Sequence, residues 1–213
     1  MKKGRLLILG ASGHGKVVGD CARAADLWYE LVFFDDRWPT LQDCGPWPVV
    51  GTGETLMREA RPGDQAFVAI GHSETRLSIL QRMVSAGKEI ATVIHPRSVV
   101  STGATIGVGT LVVAGAVVNI HARLGLGCIV NTSATVDHDC ILADGVHVCP
   151  GAHLAGDVQV GIGTWVGIGS TVSQGLRIGS GVVIGAGAVV VDDVADWQTV
   201  TGMPARPLPE RNP

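Results

Sequence analysis

The chain has 213 residues, with 16 Lys+Arg against 19 Asp+Glu, 30 glycines and nine aromatic residues, a length that fits one or two domains. A formal charge of −3 leaves no broad positive field for a nucleic-acid backbone, so no nucleic-acid partner is expected. Mean hydropathy is +0.33, but glycine, polar or charged residues break every apolar run well short of the about 18 residues a membrane span needs, and none is expected. Near the start, the only apolar run is Leu6–Leu9, with no cleavage pattern behind it, so a cytoplasmic protein is expected. Five cysteines form no CxxC pair, and disulfides are not expected.

Arg5–Leu9 reads as a buried strand, followed by a loop Gly10-Ala-Ser-Gly13-His14-Gly15-Lys16 and a helix from about Val17 to Ala25. Glycines in such a loop let backbone amides approach a phosphate or ribose, and the helix N-terminus favours negative charge. The spacing is not GxGxxG. A second strand, Leu31–Phe34, ends at Asp35-Asp36, about twenty residues on, where βαβ nucleotide sites commonly place a ribose-binding acid. A plain turn at Gly13 and Gly15 and a solvated strand end at Asp35-Asp36 are the alternative readings.

Arg37–Pro48 reads as an irregular surface segment rich in Trp and Pro. A third strand, Gln65–Ile70, leads through Gly71-His72 to a helix around Glu74–Ala86, and Ile90–Ile94 closes a small α/β, Rossmann-like domain over residues 1–95. A full dinucleotide domain needs about twice this length, so a mononucleotide or nucleotide sugar fits better than NAD.

From Ile106 to Val190, every sixth residue is Val, Leu or Ile, fifteen positions without exception, and Val100 and Ile94 extend the series backwards. A period of six is neither the two of a strand nor the 3.6 of a helix. Three short flat faces of six residues each put one residue in six on an interior line, so eighteen residues complete a triangular coil, and the fifteen hexads make five coils. A parallel β-helix over residues 96–213 is therefore expected, with a narrow core of small branched side chains.

Polar residues interrupt this pattern mostly between Asn119 and His153. Residues eighteen apart stack on adjacent coils, which places Asn119 below Asp137 and His121 below Asp139. His138 is the choice for general base, because an imidazole accepts a proton near neutral pH. Asp139 is the choice to orient it, although strand alternation keeps neighbouring side chains apart unless the chain bends at a corner. His138 and His147 lie half a coil apart on different sides, so they meet only if prisms pack side by side around a threefold axis, a homotrimer. Exposed decoration is the alternative for His138 as for His121, His147 and His153. His138, Cys140, His147 and Cys149 do not converge, so no metal site is assigned.

Taken together, Gly10–Lys16, Phe34-Asp35-Asp36, Ala69–Gly71, Ile94-His95-Pro96, Val136–Asp139, His147–Ala152 and Gly202–Arg206 resemble the PglD-type bacterial nucleotide-sugar acetyltransferases, relatives of the NeuD-type sialic acid O-acetyltransferases, in the hexapeptide-repeat superfamily. The resemblance covers about Lys3 to Arg206 and implies a left-handed β-helix. It implies acetyl-CoA in a groove between neighbouring β-helices and a UDP-amino-sugar on the N-terminal domain. By the same resemblance His138 is the base and Asp139 its acidic neighbour, at a position where the family often has glutamate. Gly13, His14, Asp35, Asp36 and Gly71 match the nucleotide-sugar positions, while His147, Gly167, Gly185, Gly202, Pro204 and Arg206 match the acetyl-CoA side. The implied reaction is direct N-acetylation of a 4-amino group without an acyl-enzyme. The alternatives are O-acetylation of a sialic acid or another sugar, and a trimeric nucleotide-sensing scaffold with no catalysis.

Overall fold

The computed structural model describes residues 2–208. Two compact units divide the chain, Met1–Pro96 and Arg97–Pro213.

The first unit runs β1 (Lys3–Leu9), α1 (Gly13–Ala25), β2 (Trp28–Phe34), β3 (Asp43–Cys44), β4 (Trp47–Pro48), α2 (Gly53–Glu59), β5 (Gln65–Val68), α3 (Ser73–Ser85) and β6 (Val93–Ile94). Its parallel sheet has the order β2-β1-β5, with Leu6 paired to both Leu31 and Gln65. As the central strand, β1 is covered on both faces, so Leu6, Leu7 and Ile8 are all buried and read as a continuous apolar run. Parallel pairing brings the C-terminal ends of the three strands side by side. Gly10 N–H donates to Phe34 O at 2.8 Å and Ala69 N–H to Leu9 O at 2.7 Å, so the loops after β1, β2 and β5 share one edge.

Three local features differ from the sequence expectation. Helix α1 begins at Gly13, because Lys16 N–H already donates to Ser12 O at 3.1 Å; His14, Gly15 and Lys16 therefore form its first turn. Gly15 is required there by close approach, since a Cβ would run into Gly10 O. The segment 37–48 is not purely irregular surface: β3 and β4 form an antiparallel pair, Cys44 is buried, and Trp47 stacks on Phe33 at 5.4 Å. Helix α2, with Thr52 Oγ1 accepting the Thr55 N–H at 3.3 Å as its N-cap, has no counterpart in the sequence reading.

The second unit is a left-handed parallel β-helix. Its two-residue strands β7 to β22 run from Val99–Val100 to Val189–Val190, and the second residue of each is the predicted hexad position. Val117 pairs with Thr135, Arg123 with Ile141 and Ile129 with His147, an eighteen-residue step on each of three faces. The hexad residues from Val112 to Val190 are at most 3% exposed. Burying a Val or Leu contributes about 1.5–3 kcal/mol against leaving it in water, and the repetition supplies a core without aromatics. A second buried line of small residues, including Ala116, Ala122, Cys128, Ala134 and Cys140, lies just before each strand. A last strand pair, β23 (Thr199–Thr201) and β24 (Arg206–Pro207), is antiparallel and ends the coil stack.

Candidate active site

One corner of the β-helix gathers the polar residues around His138. Asp137 accepts the Asn119 amide at 2.7 Å from the coil below and the His138 backbone N–H at 2.8 Å. Those bonds, the Asn119 amide first, hold the Asp137 carboxyl below its ordinary range. At Asp139 the backbone turns left-handed, with φ +61°. That turn breaks the up-and-down alternation of a strand and swings the Asp139 carboxylate onto its neighbour. Asp139 Oδ2 lies 2.8 Å from His138 Nδ1.

The Asp139 hydrogen bond raises the His138 pKa above that of a free imidazole; slight burial opposes it, and the charges of Asp137, Asp139 and Asp157 add to it. With Nδ1–H donated to the carboxylate, Nε2 carries the lone pair. The imidazole is 56% exposed. Its ring rests on the next coil at Gly156, where a Cβ would stand 2.5 Å from both Cε1 and Nε2.

His147 lies elsewhere. It is 4% exposed in β15 (His147–Val148), with Nε2 3.1 Å from Asn131 Nδ2 and its ring edge-on to Trp165 at 4.4 Å. An amide nitrogen only donates, so His147 Nε2 accepts and its proton sits on Nδ1. Asn131, Cys149, Gly167 and Gly185 belong to one column of this face, in steps of eighteen residues. His153 Nδ1 meets Thr135 Oγ1 at 2.9 Å on a different sheet. Near the end of the helix, Gly202 has φ +94°, Met203-Pro204 is cis, and Arg206 Nη1 donates to Asp192 Oδ2 at 3.1 Å. The structure thus assembles His138, Asp139, His121, Asn119 and Asp137 at one corner and leaves His147 on another face.

In the first unit, both Asp35 oxygens are engaged. Oδ2 accepts Ala11 N–H at 2.8 Å and Arg37 Nη2 at 2.9 Å, and Oδ1 accepts Arg37 Nε at 2.8 Å. The Arg37 guanidinium holds this carboxyl far below the usual carboxylate range, against the opposing effect of burial. Asp35 therefore pins the glycine loop. Asp36 Oδ1 accepts Gly53 N–H at 2.9 Å. Asp36 also lines a cavity of about 550 Å³ with Leu9, Gly53, Met57, Ile79 and Met83. A smaller one of about 200 Å³ adjoins Gly10, Ser12, Asp35, Asp36 and Gly71.

His14 is half-buried with Nε2 enclosed; desolvation, then the Arg76 charge, lower its pKa to about 4, so it is neutral at pH 7. A Cβ at Gly13 or Gly71 would meet nothing within 4 Å, so both face open space.

Sequence reasoning missed Arg37 and Arg76. Arg76 is 0% exposed and donates from Nη1 to Ile70 O at 2.8 Å and Gly71 O at 2.7 Å, fixing the loop after β5. Its signal was its phase: Ser73, Arg76, Leu80 and Met83 form the buried stripe of α3. Among the described residues, no group of three or more His, Cys, Asp or Glu side chains is placed to hold a metal ion. Burial pushes the Cys149 thiol up to about 12, which leaves no thiolate for nucleophilic attack there.

Residues 5–83 match the family model described as the PglD N-terminal domain. Over its whole length the chain is similar to the acetyltransferase domain of PglB from Neisseria gonorrhoeae FA1090, solved in complex with acetyl coenzyme A. The two are 42% identical over 98% of this chain and 100% of that one, with a TM-score of 0.93. PerB from Caulobacter crescentus, solved in complex with CoA and GDP-perosamine, is 35% identical over 97% and 98% of the two chains, with a TM-score of 0.91. A curated relative, the UDP-N-acetylbacillosamine N-acetyltransferase of Bacillus subtilis (strain 168), is 35% identical over 109 residues; the match spans 50% of this chain and 50% of the relative.

Proposed function

This chain belongs to the hexapeptide-repeat β-helix acyltransferases related to PglD, PglB, PerB and WeeI, and on that premise we propose that it acetylates the 4-amino group of a UDP-amino-sugar with His138 as general base. It is an acetyl-CoA-dependent N-acetyltransferase of an amino-sugar nucleotide. The observation that carries the catalytic assignment is the His138–Asp139 contact of 2.8 Å, which turns the Nε2 lone pair away from the carboxylate on a half-exposed ring.

The neutral amine attacks the thioester carbonyl and His138 Nε2 accepts its proton; collapse of the tetrahedral oxyanion breaks the C–S bond, and the CoA thiolate recovers a proton from the imidazolium. Atoms and charge balance without an acyl-enzyme. Direct transfer also agrees with thiols at Cys140 and Cys149 whose pKa values burial raises.

The domain over residues 1–95 holds the nucleotide. Its crevice lies at the C-terminal ends of parallel strands, the usual position for such ligands, with Asp36 and the open space at Gly71 on its walls. The space over Gly13, at the start of the thirteen-residue α1, suits a diphosphate, and neutral His14 adds no competing charge. Residues 96–213 bind acetyl-CoA, with His147, Gly167, Gly185, Gly202, Pro204 and Arg206 on the donor side. Because His147 and His138 occupy different faces of one prism, a homotrimer that sets one copy's His138 against the His147 face of the next completes the site.

The test is acetyl transfer from acetyl-CoA to UDP-4-amino-, UDP-3-amino- and GDP-4-amino-sugars and to sialic acid, followed by product mass and fragmentation. Acetylation of the UDP-4-amino-sugar at nitrogen supports the reading. Turnover confined to a hydroxyl of sialic acid contradicts it.

A further inference from the structure

We propose that His121 is a positioning residue for this base, acting through Asp139 rather than on the substrate. Two independent observations carry the assignment, which itself rests on His138 being the base.

The first is contact. Asp139 sits between two imidazoles: Oδ2 is 2.8 Å from His138 Nδ1, and Oδ1 is 3.4 Å from His121 Nδ1, one coil below. Aspartate is one methylene shorter than glutamate, and its carboxylate here is half exposed, so a single hydrogen bond leaves it free to rotate about its terminal torsion. At 3.4 Å, His121 Nδ1 stands close enough to the other oxygen for its N–H to oppose that rotation. With Oδ1 held, Oδ2 is presented to His138 Nδ1, and the His138 lone pair stays on Nε2 where the amine arrives.

The second is backbone strain. Left-handed corners recur every eighteen residues, and two columns of them carry glycine almost throughout: Gly109, Gly127, Gly145, Gly163 and Gly181 in one, and Gly115, Gly151, Gly169 and Gly187 with Ser133 in the other. The third column has His121 at φ +62°, Asp139 at +61° and Asp157 at +58°, with glycine only at Gly175. A side chain in this region is strained, and glycine would remove the strain. Side chains are retained at consecutive levels only in the column that borders His138.

The groups that face the His138–Asp139 pair are Asp137 from the same turn, Asp157 from the coil above, and His121 and Asn119 from the coil below. Asp137 is already committed to Asn119 and the His138 backbone; the Asp157 carboxylate acts on the His138 ring through charge, while the Asp157 backbone N–H donates to His138 O at 2.9 Å. Among the described residues, His121 alone brings a second side-chain polar atom to the Asp139 carboxylate.

His121→Gly removes the imidazole and suits the left-handed backbone, so it keeps the fold; His121→Asn keeps an N–H donor and also tolerates this conformation. Titration of His138 by imidazole nitrogen NMR in the intact protein is measured beside the pH profile of kcat. In His121→Gly, His138 titrates at lower pH than in the parent, because a rotating Asp139 stabilises the imidazolium less. Its kcat falls about 10-fold, a part of the 10²–10⁴ a general base supplies, with KM for acetyl-CoA unchanged. His121→Asn restores most of both. An unmoved His138 titration in His121→Gly, or one that moves to higher pH, overturns the assignment. If instead His138→Ala keeps full turnover, the base reading fails, while the NMR result still reports on the coupling.

Discussion

The His138 imidazole packs against Gly156 of the next coil, at a place where one added methyl carbon would stand 2.5 Å from Cε1 and Nε2. Gly156 is therefore part of the seat of the base. Its φ lies outside the left-handed region, so the backbone itself accepts a side chain there. Gly156→Ala should displace the ring and leave the coil intact. A misplacement of about 1 Å can cost 10²-fold in rate, and a kcat reduced about 10- to 100-fold with an unchanged melting temperature is expected. Steady-state kinetics beside thermal unfolding check it; a fully active Gly156→Ala variant would mean that the ring is free to move without consequence.

His14 makes the stability of the first unit pH-dependent. Its pKa is lowered from 6.5 to about 4 by desolvation and the Arg76 charge, so between these values the unfolded chain binds a proton that the folded chain refuses. Stability from this group is complete above pH 6.5 and is lost as the pH falls towards 4, by at most about 3 kcal/mol. Urea unfolding of parent and His14→Asn between pH 7.5 and about 4.5 isolates the contribution. The parent should lose more stability than the variant across that window; parallel curves would show that His14 is protonated in the folded state.

Cysteine chemistry should be dispensable. Cys149 is 1% exposed with a pKa of about 12, and the Cys140 thiol donates to Ala155 O at 3.1 Å. Cys149→Ala and Cys140→Ala are expected to keep kcat within about 2-fold of the parent, because direct transfer uses a base rather than a protein nucleophile. Any acetylated cysteine trapped by rapid quench and seen in the peptide mass spectrum would count against direct transfer.

The β-helix was readable from sequence because its rule is carried by one residue in six: Val136, Leu142 and Val148 each occupy the second place of a two-residue strand and point inward. Stacking was readable for the same reason, and Asn119–Asp137 and His121–Asp139 meet as the eighteen-residue step requires. What alternation could not supply is the left-handed φ at Asp139, a property of the corner that depends on the coils above and below.

In the first unit the central strand was legible from its unbroken apolar run. Helix α2 was not, since in seven residues it buries only Leu56 and shows no periodicity. The glycines at 13 and 15 concealed the start of α1, although Ser12 O already accepts the first helical hydrogen bond. Spacing along the chain offers Asp35-Asp36 as a ribose-binding pair or a solvated strand end; it does not single out Ala11 and Arg37, the partners that the Asp35 oxygens hold.

The role of His138 is tested most directly by measuring acetyl transfer to a UDP-4-amino-sugar by His138→Ala across pH 6 to about 9. The expected result is a kcat lower by about 10²–10⁴-fold, with the acid limb of the profile gone and acetyl-CoA binding retained. Parent-like turnover with the acid limb still present would contradict the assignment of His138 as the group that accepts the proton.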